Sequence, residues 1–181
     1  MIGVLAGHNK TSIGSFYNGI EEYKINKKIA DGILEVLGDK GKLIERGEDI
    51  DAYTKLPVKI NNEKVKLAVE IHCGASEDVK AGGCEAYCKS GDDFAYKLCK
   101  ALNIMTAKIT GVNIVGVISV GETGRGAYLI NNTKPTTIII KPFYMSCKND
   151  YNSFMKNIDN YCFKIADILE QALNFLDEEV E

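Results

Sequence analysis

The stretch "TTIIIKPFY", residues 136–144, decides how this chain is read. Two threonines and three isoleucines make an unbroken β-branched run, which predicts a strand buried on both faces. Lys141 closes the run and Pro142 follows it. An open α/β sheet keeps its active site at the ends of such strands. Lys141 is therefore either a site residue or a lysine whose aliphatic stem carries its ammonium out to solvent.

Outward from that run, strands alternate with helical patterns. This predicts an α/β fold, a single domain over residues 1–181 with a mostly parallel central sheet of about six strands flanked by helices. "IGVLAG" is the first strand. From Glu21, the positions Ile25, Ile29, Ile33 and Leu37 recur every four residues, a helix that stops near Gly38 and Gly41. "KLIER" is the next strand, and a short helical piece around "LPVKINNEKV" leads to the strand "KLAVEIHC". "GGCEAYC" is a short fourth strand. "GDDFAYKLCKALNIM" predicts a helix capped by Asp92 or Asp93. Residues 111–126 are glycine-rich and read as a loop with some strand character, and "AYLI" reads as a strand before "TTIII". From Asn149 onward, Phe154, Ile158, Cys162, Ile165, Leu169 and Leu176 describe a long amphipathic helix with room for one break. No repeat, linker or separate binding module is visible.

The chain has 181 residues, 45% of them apolar, and a net charge of −3. The signs are intermixed and form no basic stripe, which argues against nucleic acid as a partner. No 18-residue apolar run exists, so no membrane insertion is expected. "MIGVLAGH" is too short and uncharged for a signal peptide, and the expected location on synthesis is the cytoplasm. Cys73, Cys84, Cys88, Cys99, Cys147 and Cys162 are then expected to be free, partly buried thiols. Cys84 and Cys88 are four apart and do not make the usual C-x2-C zinc pair.

The chain has only two histidines, and each ends an apolar strand: His8 closes "IGVLAGH" and His72 closes "LAVEIH". Strands that run parallel deliver their last residues to the same edge, so the two imidazoles can meet. Two imidazoles need only a carboxylate and a water to complete a hydrolytic zinc site. Glu22, on the inward face of the first helix, is the candidate carboxylate, although an acid in a first turn also serves the helix dipole. Glu70 lies two residues before His72 on the same strand face. Glu85 and Glu122 are further acids, each either a site residue or a solvated edge or loop acid, and the solvated reading is the stronger one for Glu122. Arg125 is a candidate for binding a substrate carboxylate.

Five motifs, "GHN", "EEYKINKKIA", "EIHCGAS", "GGCEAY" and "NNTKPTTIIIKPFY", resemble the zinc-dependent N-acetylmuramoyl-L-alanine amidases, which include phage endolysins and spore and cell-division enzymes. The resemblance runs in the family's order from about Ile2 to the C-terminal helix. It implies zinc held by His8, Glu22 and His72, with Glu22 rather than Glu21 at the ligand position. It implies hydrolysis of the peptidoglycan amide between the lactyl group of N-acetylmuramic acid and L-alanine. A family glutamate moves the proton in that reaction, and the matching position here is Lys141. An ammonium accepts no proton, so the resemblance implies a crippled or inactive amidase unless Glu85 or Glu70 compensates. The alternatives are a non-catalytic peptidoglycan-binding pseudoenzyme and a zinc exopeptidase. Without a signal peptide, action on the wall would follow release by a holin, lysis or another route.

Overall fold

The computed structural model describes residues 1–178. The chain opens with β1 (Ile2–Ala6), buried along its whole length. A small hairpin follows, β2 (Phe16–Tyr17) with β3 (Ile20–Glu21), turned by Asn18 and Gly19, both at positive φ. Asn-Gly suits such a turn because both residues tolerate the left-handed region. Helix α1 (Glu22–Leu37), a 3-10 turn and the short β4 (Gly41–Leu43) lead to α2 (Ala52–Asn62) and β5 (Leu67–Ile71). The rest is β6 (Cys84–Lys89), α3 (Asp93–Thr110), β7 (Ile114–Val120), α4 (Ala127–Asn132), β8 (Thr136–Lys141), α5 (Lys148–Lys156) and α6 (Ile158–Glu178).

The sheet has six strands in the order β4-β1-β5-β8-β6-β7. The first four run parallel; β6 is antiparallel to β8, and β7 runs with β6. On one face Val4, Val69 and Ile138 pack under α1, α3 and α6, with Phe143 stacked on Phe154 at 4.4 Å between ring centroids. On the other, Leu5, Ala68 and Ile139 lie under Leu56 and Ile60 of α2 and Leu129 and Ile130 of α4. Burial on both faces is why the central strands read as continuous apolar runs instead of alternating ones.

Several sequence expectations shift. "AYLI" is not a strand but the start of α4: Gly126, at φ 79, begins the turn, and Ala127, Leu129 and Ile130 face inward. A four-residue apolar run has no periodicity to separate the two states. Residues 114–120 form a full edge strand, and its exposed first half explains the weak apolar pattern. Helix α2 begins at Ala52, earlier than expected, and carries Pro57 inside it, which masked its first turn. "KLIER" is a strand only through Leu43, although the Ile44 N–H still reaches the Val4 carbonyl. The C-terminal pattern is broken once, at Asn157. Asp92 caps α3, its carboxylate accepting the Ala95 N–H.

Candidate active site

Three adjacent parallel strands, β1, β5 and β8, end in step. The Gly7 N–H donates to the Ile71 carbonyl and the His72 N–H to the Ile140 carbonyl. His8, His72 and Lys141 therefore emerge at one sheet edge, into a cleft of about 500 Å³. Glu22 reaches the same point from the first residue of α1. The His8 and His72 rings meet edge to face, 4.9 Å apart.

Glu22 bridges both imidazoles. Its Oε2 lies 3.3 Å from His8 Nε2 and its Oε1 3.1 Å from His72 Nδ1. The Ser15 N–H donates to Oε2 and the Cys73 N–H to Oε1. Burial alone would raise this carboxyl's pKa, but the hydrogen bonds from His72, His8 and Ser15 hold it well below the usual carboxylate range. His72 is opposed by burial and is nonetheless pushed up to about 9 by the carboxylates of Glu70 and Glu22. Ligand atoms from His8, Glu22 and His72 all lie within 4.8 Å of one another. Two nitrogens plus one oxygen open to a cleft is the donor set of a catalytic zinc site. The residues fit that metal.

Local backbone makes the approach possible. His8 sits at φ 70, in the left-handed region a non-glycine residue rarely adopts. A Cβ on Gly7 would stand 2.4 Å from the His72 ring, and one on Gly14 would stand 2.6 Å from Glu22 Oε2. Asn26, one turn after Glu22, donates to the Gly7 carbonyl at 3.0 Å and ties α1 to the end of β1.

Lys141 does not bend out to solvent. It is 4% exposed, and its ammonium donates to Glu85 Oε1 at 2.8 Å and to the Tyr87 hydroxyl at 2.9 Å. Tyr87 in turn donates to the same Glu85 oxygen at 2.8 Å. Burial lowers the Lys141 pKa, and Glu85 opposes the shift. Glu85 is buried against Lys141, which excludes the solvated-edge alternative for it. Glu70 is also brought in, with Oε2 3.1 Å from His72 Nε2. Arg125 lines the cleft rim, while Glu122 is exposed in the loop before it.

The model of the N-acetylmuramoyl-L-alanine amidase family matches residues 2–171. The chain belongs to that amidase family. No curated protein matches it by sequence. Among solved structures, the catalytic domain of the amidase CwlV from Bacillus (Paenibacillus) polymyxa var. colistinus is 19% identical, with a TM-score of 0.74 over 96% of this chain and 98% of that one. The catalytic domain of the CD27L endolysin, which targets Clostridia difficile, is 20% identical, with a TM-score of 0.76 over 96% of each chain. The CwlD amidase from Clostridioides difficile, solved in complex with the GerS lipoprotein, is 18% identical, with a TM-score of 0.75 over 96% and 98%.

The cleft of this amidase-family chain also includes residues that the sequence does not single out. Tyr87 closes the Lys141–Glu85 pair, and Arg46 and Tyr53 line the cleft, with the Arg46 guanidinium 4.8 Å above the Tyr53 ring. Tyr87 was findable, since it stands two residues after Glu85 and strand side chains alternate. Arg46 lies past the end of β4 and carries no sequence signal.

Proposed function

We propose that the chain is a zinc-binding N-acetylmuramoyl-L-alanine amidase domain that takes peptidoglycan in this cleft and is crippled in hydrolysis by Lys141. The observation that carries the reading is the convergence of His8, Glu22 and His72 at the ends of two parallel strands and a helix start, within a matched amidase family. His8, Glu22 and His72 would hold the metal. Zinc, when bound, supplies carbonyl polarisation and an acidified water with a pKa of about 7.

The chain's own residues then set the limits. Glu22 is committed to both histidines and to two backbone N–H groups, so it is a ligand and not a free base. Lys141 brings a cation to the position that matches the family's glutamate by resemblance, and two of its three protons are donated to Glu85 and Tyr87. Glu85 is screened from the cleft by that same lysine. Glu70 faces the far nitrogen of His72. Among the described residues, Glu22, Glu70 and Glu85 each already face a histidine or lysine partner. A pseudoenzyme that binds peptidoglycan without cutting it is the second reading, and the buried Lys141–Glu85 pair is what favours it.

Zinc stoichiometry of the purified protein, with His8→Ala as control, tests the metal. One zinc per chain in the parent and little in the variant is expected; full zinc in the variant overturns the assignment. Incubation with purified sacculi tests the rest. Binding with slow release of fragments bearing a new L-alanine amine fits a crippled amidase, and release of terminal amino acids points to an exopeptidase instead.

A further inference from the structure

Glu70 is the one carboxylate at the site whose presence the reaction does not explain. It sits in the middle of the sheet on β5, 1% exposed, between Val69 and Ile71, which are fully buried. One oxygen lies 3.1 Å from His72 Nε2, and the other, Oε1, is buried without any hydrogen-bond partner. Burying a charged group with half of its acceptors unsatisfied is costly. A strand whose other members are Leu67, Ala68, Val69 and Ile71 would be more stable with an apolar residue there.

The placement relative to the ring supplies a reason. The two nitrogens of His72 face different carboxylates: Nδ1 faces Glu22 at 3.1 Å, and Nε2 faces Glu70 at 3.1 Å. A neutral imidazole carries one N–H, and only the other nitrogen has a lone pair to give to a metal. A carboxylate only accepts, and with zinc between Glu22 and Nδ1 the Nδ1 lone pair would go to the metal and the remaining N–H would sit on Nε2, where Glu70 accepts it. Residues two apart on a strand share a face, so the β5 backbone fixes the acceptor relative to the ring it orients.

We propose that Glu70 is the positioning residue of the metal site: it selects the His72 tautomer and ring orientation that present Nδ1 to zinc. This rests on the reading of His8, Glu22 and His72 as the zinc ligands. Carboxylates behind metal-bound histidines raise metal affinity in this way, and their loss costs about 10- to 100-fold. The geometry also removes Glu70 from the candidates for proton transfer, because it serves the nitrogen on the opposite side of the ring from the metal position.

The test compares zinc dissociation constants, measured by competition with a chelator, for the parent, His8→Ala, Glu70→Ala and Glu70→Gln. The Glu70→Ala protein should bind zinc about 10- to 100-fold more weakly. The Glu70→Gln protein should fall between, because the amide oxygen can still accept the Nε2 N–H. Cobalt absorption spectra of the loaded proteins, and nitrogen chemical shifts of His72, read ring geometry and tautomer directly. The Nε2–H tautomer is expected in the parent and a mixture in the Glu70→Ala protein. Unchanged affinity and spectrum in Glu70→Ala, with binding abolished in His8→Ala, overturns this inference alone. Absence of zinc binding in the parent overturns the metal reading and this inference together.

Discussion

Lys141 and Glu85 form a cross-strand ion pair inside the sheet, directly opposite one another in the antiparallel pairing of β6 with β8, with 2.8 Å between Nζ and Oε1. They are 4% and 6% exposed. Removing one partner of such a pair leaves an uncompensated buried charge, which costs about 3–5 kcal/mol. Lys141→Met and Glu85→Gln are each expected to destabilise the fold on that scale in urea titrations. The double variant should recover much of the loss, because neither charge is then left alone. Additive losses in the double variant would mean that the pair is not coupled.

The six cysteines are free and buried. Burial pushes the thiols of Cys84 and Cys162 from 9.0 up to about 12. A group protonated longer in the folded state than in the unfolded one stabilises the fold fully below the unfolded pKa and loses that contribution as pH rises through the folded value. Stability should therefore fall between about pH 9 and 12, and the slope should flatten when Cys84 and Cys162 are both replaced by alanine. In native protein at pH 8 a disulfide-exchange reagent should modify these thiols slowly, and six should react after denaturation. Fewer than six would reveal a disulfide.

Gly7 and the His72 ring cannot both keep their places if a side chain is added at position 7, because a Cβ there would stand 2.4 Å from Cε1 and Nε2. Gly7→Ala is expected to displace the imidazole and weaken zinc binding at least about tenfold, within the range for disturbing a ligand's orientation. The sheet itself should survive. Phe154→Ala is the contrast: it removes a ring stacked on Phe143 and set edge to face against Tyr161, and should cost about 3–5 kcal/mol without disturbing the candidate metal site. Circular dichroism melts and zinc titrations on both variants separate the two effects. A Gly7→Ala protein with unaltered affinity would show that His72 has room to move.

The sequence made the candidate metal edge legible for a simple reason: β1, β5 and β8 are mostly apolar, so a histidine or lysine at the end of each one stands out. His8, His72 and Lys141 are those residues. Glu85 was harder. It stands near the start of β6, and in an all-parallel sheet it would lie at the opposite edge from the histidines. Only the reversal of β6 against β8 brings it beside Lys141. Strand direction is set by tertiary packing, which no local pattern records. The hairpin around Asn18 and Gly19 had the opposite fate: its turn signal was present, but two-residue strands gave no alternation to support it.

The Lys141–Glu85 pair also shapes what Lys141→Glu should do. The substitution supplies the carboxylate that the sequence resemblance to the amidase family implies for this position, and positioned acid–base catalysis contributes about 10²- to 10⁴-fold. It also sets two buried carboxyls against each other, and such a pair shares one proton, with one pKa strongly raised. Two consequences follow together. Fragment release from purified sacculi should rise by orders of magnitude in the Lys141→Glu protein, and its rate should depend on pH through the values of the coupled pair. Zinc affinity should hold or rise slightly as a cation near the metal is removed. Lys141→Gln is the control, since it removes the charge without adding a base and should stay nearly inactive. Glu85→Gln in the Lys141→Glu background should simplify the pH profile to a single group. If all of these proteins are equally inactive while still binding sacculi and zinc, the domain is a wall-binding pseudoenzyme. High activity in the parent that disappears in Lys141→Glu would show that lysine itself belongs to the working site.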